Sequence, residues 1–141
     1  MTPTFTLHRS PERLLVVGLP PGAEIPAWAE SSSLLSVTAT ATETSLVCAA
    51  RGVPKKAKQA GPFTAFAVQG PLDLSLTGVL AELLEPMAAA GVSVFTISTY
   101  DTDWVLVPVE RAEDAVEEWG KRGHRVETAV SAPIPPRRGG S

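Results

Sequence analysis

Between positions 63 and 109 the apolar residues fall first at strand spacing, then at helical spacing, then at strand spacing twice more. Residues 63–68 form a short β-branched and aromatic run that stops at Gly70 and Pro71, where a missing N–H and a permissive glycine end a ladder. Leu76, Val79, Leu80, Leu83, Met87 and Ala90 then recur as one apolar stripe, which predicts a helix capped by Asp73 or Ser75 and closed by Gly91. Pro86 removes one intrahelical bond, so a kink or break is expected near Glu85. Residues 92–98 and 104–109 read as strands joined by a polar turn. A second helix carries Ala112, Ala115, Val116 and Trp119 on its buried face, with acidic residues early, Lys121 and Arg122 late, and Gly123 at its end. A last strand spans 124–127. The order βαββαβ predicts an α+β, ferredoxin-like layer: a four-stranded antiparallel sheet with both helices on one face.

The first half repeats this plan in abbreviated form. Residues 13–19 read as a strand, 25–30 as a short helix and 34–50 as a hairpin about Thr42 to Thr44. Residues 52–62 are short, basic and bounded by glycine and proline, which leaves no room for a second helix of normal length. Residues 4–8 can serve this half as an extra strand. The expected organisation is therefore an abbreviated N-terminal unit (1–62), a complete C-terminal unit (63–130) and a flexible tail (131–141), whose prolines disfavour both helix and ladder.

Composition narrows the function classes. The 141 residues carry a formal net charge of −3, and the basic cluster Lys55, Lys56 and Lys58 is too small for a nucleic-acid groove. Cys48 is the one cysteine and lies in an apolar run, where a buried thiol is expected rather than a disulfide or a zinc site. No window reaches the roughly 20 apolar residues of a membrane span, and no signal-peptide pattern opens the chain, so a cytoplasmic protein is expected. His8 and His124 lie in different halves and outside any nucleophile or metal motif. The stretch from Gly70 to Gly78 lacks both the P-loop lysine and the dinucleotide fingerprint, so no cofactor is predicted.

One polar constellation remains, Ser98, Thr99, Tyr100, Asp101, Thr102 and Asp103, held between two apolar strands. Read plainly, it is a hairpin turn. Two carboxylates two residues apart without further acidic ligands make a poor cation site. They suit an ammonium group better. A carboxylate here, opposite the backbone N–H groups of the glycine loop, would make a bipolar pocket matched to an α-amino acid.

IPAWAE (25–30), SVTATATETSLVCA (36–49), GPLDLSLTGVLA (70–81) and ISTYDTDWVLVP (97–108) together resemble the bacterial tandem ACT-like proteins, relatives of the ACT repeats in the CASTOR arginine sensors. The resemblance spans most of residues 14–126. It implies tandem ferredoxin-like units, paired edge to edge, that bind an amino acid or other small effector where a strand–helix loop meets a neighbouring unit. The ligand-facing loop is then Gly70, Pro71, Leu72, Asp73, Leu74 and Ser75, and the strand-end cluster is Ser98, Thr99, Asp101 and Asp103. A non-catalytic regulatory homodimer acting on a separate protein target is the function this implies. Two alternatives stand beside it: a ligand-free interaction module, and a small enzyme using Asp101 or Asp103 as base.

Overall fold

The computed structural model describes residues 3–70 and 77–128. Seven strands form one sheet: β1 (Thr6–Leu19), β2 (Ser36–Ala39), β3 (Thr44–Ala49), β4 (Lys58–Val68), β5 (Phe95–Ser98), β6 (Asp103–Pro108) and β7 (Arg125–Thr128). The order is β2-β3-β1-β4-β6-β5, and β7 adds to β1. Among the described residues two α-helices pack with the sheet, α1 (Val79–Ala89) and α2 (Ala112–Lys121). The predicted short helix at 25–30 is a single 3-10 turn at Ala27–Ala29.

β1 is what joins the two halves. The sequence suggests one strand at 13–19 and a loose addition at 4–8, but these are one 14-residue strand. Its second part pairs with β3 from Leu14↔Ala49 to Leu19↔Thr44. Its first part lies beside β4, with Leu7 opposite Val68, and beside β7, with Thr6 opposite Arg125. The C-terminal unit therefore differs from the expected four-stranded sheet. β1 takes the place beside β4, and β7 runs parallel to β1 rather than antiparallel to β4. Direction follows from connectivity: α2 crosses over from β6 to a parallel strand, and β6 and β1 are both antiparallel to β4.

Both helices lie on one face. Leu7, Phe66, Val68, Val105 and Val107 of the sheet pack with Val79, Leu83 and Met87 of α1 and with Ala112, Ala115 and Trp119 of α2. The predicted buried face of α2 is thus observed, with Val116 at its margin. α1 departs from expectation at its start, where Gly78 (φ 80°) is the N-cap in place of Asp73 or Ser75. Of the kink or break expected near Glu85, no break occurs: the helix continues through buried Pro86, and Ala90 N–H donates to the Pro86 carbonyl at 3.1 Å. β4 begins earlier than predicted, at Lys58, so residues 58–62 are strand instead of loop.

A second core cluster, Leu15, Val17, Ala29, Leu46 and Cys48, fills the N-terminal half. Burial, with the Glu12 carboxylate second, pushes the Cys48 thiol up to about 11, as befits a small core residue. A third cluster, Leu14, Val47, Ala65 and Leu106, draws on strands of both halves.

Candidate functional site

The β5–β6 hairpin takes its shape from its own hydroxyls. Thr99 N–H donates to the Thr102 carbonyl at 2.8 Å, and Thr102 N–H returns a bond to Thr99 Oγ1 at 3.2 Å. Ser98 and Asp103 stand opposite one another across the strands, and Ser98 Oγ donates to Asp103 Oδ1 at 2.7 Å. Alternation puts Asp103 on the same side of β6 as Val105 and Val107, which is the side the helices cover. Asp103 is half-buried there, whereas Asp101 and Tyr100 are exposed, Tyr100 at 84%.

Thr102 was not among the expected ligand-facing residues, yet it ties this cluster to the rest of the fold. Its Oγ1 donates to the Val68 carbonyl at 2.6 Å, pinning the hairpin to the end of β4 just before Gln69 and Gly70. From there Gln69 N–H donates to the Thr6 carbonyl at 2.7 Å, and its Oε1 lies 3.1 Å from His8 Nε2. The signal for Thr102 in the sequence was its place directly before an apolar strand. Its partner, 34 residues away, is a backbone atom and leaves no trace in the pattern.

The structure thus brings Ser98, Thr99 and Asp103 together in a hairpin whose Thr102 is bonded to Val68, two residues before Gly70, with Asp101 turned to solvent. Pro71, Leu72, Asp73, Leu74 and Ser75 lie outside the described residues. Ser98 also borders a cavity of about 310 Å³, lined by residues of β2, β3 and β5. Ser36, Thr38, Ser45, Phe95 and Ile97 line it alongside Ser98. Among the described residues no group of three or more His, Cys, Asp or Glu could hold a metal ion.

Thr102→Val should cost about 1 kcal/mol of stability, the worth of one hydrogen bond, and should speed amide exchange in residues 98–103 more than in α2. Hydrogen exchange measured residue by residue checks this. Equal protection of the hairpin in the variant and the parent would show that the Val68 contact does not hold it.

A mainly antiparallel sheet with two helices on one face is an α+β fold, consistent with an ACT-like arrangement. Residues 61–117 match the family model of the ACT domain, and residues 15–56 match a second model that describes an N-terminal domain. A protein from Agobacterium tumefaciens is similar in structure over 92% of this chain and 96% of its own, with a TM-score of 0.84 and 27% identity. A protein of unknown function from Vibrio cholerae follows at TM-score 0.70 and 16% identity, covering 84% of this chain and 89% of its own. The regulatory subunit of aspartate kinase from Thermus flavus has the same fold at TM-score 0.56 and 12% identity, over 82% of this chain and 95% of its own. No curated protein matches the chain by sequence. No helix among the described residues is long and apolar enough to cross a membrane.

Proposed function

We propose that this chain is a non-catalytic regulatory protein that binds a small effector, an α-amino acid, at the strand-end cluster beside Gly70, and acts in the cytoplasm on a separate protein target. The observation that carries this reading is the half-buried Asp103 carboxylate, with Oδ1 held by Ser98 and Oδ2 without a hydrogen bond among the described residues, an acceptor suited to an ammonium group. Its support lies in the ACT match at 61–117, which includes both Gly70 and the hairpin, and in the resemblance of 70–81 and 97–108 to bacterial ACT-like proteins. The described residues offer hydroxyls, a carboxylate and fixed backbone groups, which suits holding a ligand.

The homodimer belongs to the same proposal. β2 and β5 are edge strands without a charged residue, and each exposes a large apolar side chain, Val37 at 40% and Phe95 at 36%. Uncharged open edges of this kind favour strand-to-strand association with a second copy. Light scattering should return twice the monomer mass at micromolar concentration.

A thermal-shift panel of the amino acids, followed by calorimetry with the strongest hit, tests the effector site. Asp103→Asn should weaken binding about tenfold or more, ~1.4 kcal/mol or above, while Asp101→Asn should change it by ~0.5 kcal/mol or less. An unchanged Kd in folded Asp103→Asn would remove Asp103 from the site. A panel without a single shift would remove the amino acid.

A further inference from the structure

A second concave region lies away from the hairpin, at an irregularity in β1. Between Arg9↔Phe66 and Arg13↔Thr64 the register jumps, so Ser10, Pro11 and Glu12 stand opposite Ala65 alone. Pro11 cannot donate to a ladder and suits such a bulge, and Glu12 N–H turns to Ser10 Oγ at 3.4 Å. The bulge borders an open, solvent-facing cavity of about 550 Å³ lined by Pro11, Glu12, Arg13, Ala50 and Arg51, of which Pro11, Arg13 and Arg51 are exposed.

Two guanidinium groups line this cavity in different states. Arg51 is fixed: Nη1 donates to Glu12 Oε2 at 2.9 Å and Nη2 to the Ser31 carbonyl at 2.9 Å. Glu12 is fixed in turn, since its Oε1 accepts from Ser33 N–H at 2.8 Å and from Ser33 Oγ at 2.6 Å. Arg13 has no ion pair or side-chain hydrogen bond among the described residues. The cavity therefore carries one positive charge in excess, on a group built to grip a planar anion with two parallel bonds. Pro11, Ala50 and the methylene stems of the arginines supply apolar wall.

We propose that this cavity is a second ligand site, separate from the strand-end cluster, and that it takes a small monocarboxylate with an apolar body. The carboxylate docks on Arg13, beside Arg51, and the apolar part lies against Pro11 and Ala50. A monoanion matches the excess charge, whereas a zwitterion would bring an ammonium group against two guanidiniums with the one nearby carboxylate already occupied. The site draws on neither Gly70 nor the hairpin, so it stands or falls independently of the effector reading.

Phenylacetate and its neutral isostere phenylacetamide, titrated into the full chain and followed by amide chemical shifts, test the proposal. Phenylacetate should shift Glu12, Arg13, Ala50 and Arg51 saturably, and phenylacetamide should bind about tenfold or more weakly. Arg13→Gln should lose at least a similar factor and Arg13→Lys less, because the charge survives without the fork. Asp103→Asn should bind as the parent does. Arg13 is exposed, so its variants are expected to fold, which their amide spectra report directly. Equal affinity for acid and amide, undiminished binding by Arg13→Gln, shifts centred on other residues, or no saturation would each overturn the assignment.

Discussion

Trp119→Ala is expected to remove about 3–5 kcal/mol of folding stability, the usual range for deleting a buried aromatic side chain. Trp119 is fully buried between α2 and the sheet. Its ring meets Phe66 edge-on, with centroids 4.9 Å apart and an interplanar angle of 76°, and its Nε1–H donates to the Leu83 carbonyl of α1 at 2.8 Å. One side chain thus joins both helices to β4. A domain of this size holds roughly 5–15 kcal/mol in all, so the alanine variant should melt far earlier and be partly unfolded under mild denaturant. Trp119→Phe separates the contributions, because it keeps most of the apolar volume and forfeits the hydrogen bond, and it should cost markedly less. Urea titrations of both variants provide the check. A loss below about 1 kcal/mol for the alanine variant would mean that the core closes over the gap, against the behaviour of well-packed interiors.

Trp119 also shows which features could be read directly from the chain. Its spacing from Ala112 and Ala115 marks a buried helical face, and Gly123 closes that helix with φ 86°. The hairpin at residues 99–102 was legible for the same reason: turn chemistry is local. The role of β1 was not. Alternation tells which residues face a core but says nothing about the neighbouring strand, and the readings at 4–8 and 13–19 are joined through a bulge at Pro11 within one continuous strand. Gly61 and Pro62 misled, hiding the first residues of β4.

Helix α1 is the converse case. Its apolar stripe was correct at Val79, Leu83 and Met87, yet its N-terminus lies at Gly78, a residue whose side chain offers no capping group and whose role depends on positive φ. Pro86 is tolerated inside the helix, where its ring is buried, so the missing N–H did not end the element. The candidate site was legible as a list of polar residues but not as an arrangement. Asp101 and Asp103 are chemically identical and two positions apart. What distinguishes them is burial and the Ser98 bond, which depend on cross-strand register. Arg13 went unnoticed because an isolated basic residue at a strand start carries no motif. Its interest comes from a bulge and from a partner network assembled from residues 12, 31, 33 and 51.

Lowering the pH below about 6.5 should destabilise the fold through His124. Its side chain is fully buried. Nδ1 accepts the Phe5 N–H at 3.0 Å, and the ring stacks on Phe5 with centroids 5.7 Å apart. An Nδ1 that accepts must be unprotonated, so the neutral ring carries its hydrogen on Nε2, which has no hydrogen-bond partner among the described residues. A second proton could enter only at Nδ1, at the expense of the Phe5 bond. Burial lowers the His124 pKa, opposed by the Glu82 carboxylate, whose Oε1 lies 3.9 Å from Nε2, and assisted by the positive charge of Arg122.

The sign follows from linkage: the folded state prefers neutral His124, so its contribution is complete above the unfolded value near 6.5 and declines as pH falls through the lower folded value. His124→Leu should cost roughly 2–3 kcal/mol at neutral pH, since it strands the Phe5 N–H without an acceptor. His124→Asn can place its Oδ1 where Nδ1 stood, and should retain more of the stability than leucine does. Neither variant titrates here, so both should show a flatter loss of stability between pH 7 and pH 5 than the parent. Urea midpoints collected across that range decide the matter. If the parent and His124→Asn lose stability in parallel as the pH falls, the acid sensitivity resides in other groups, and the buried imidazole is an acceptor for Phe5 and nothing more.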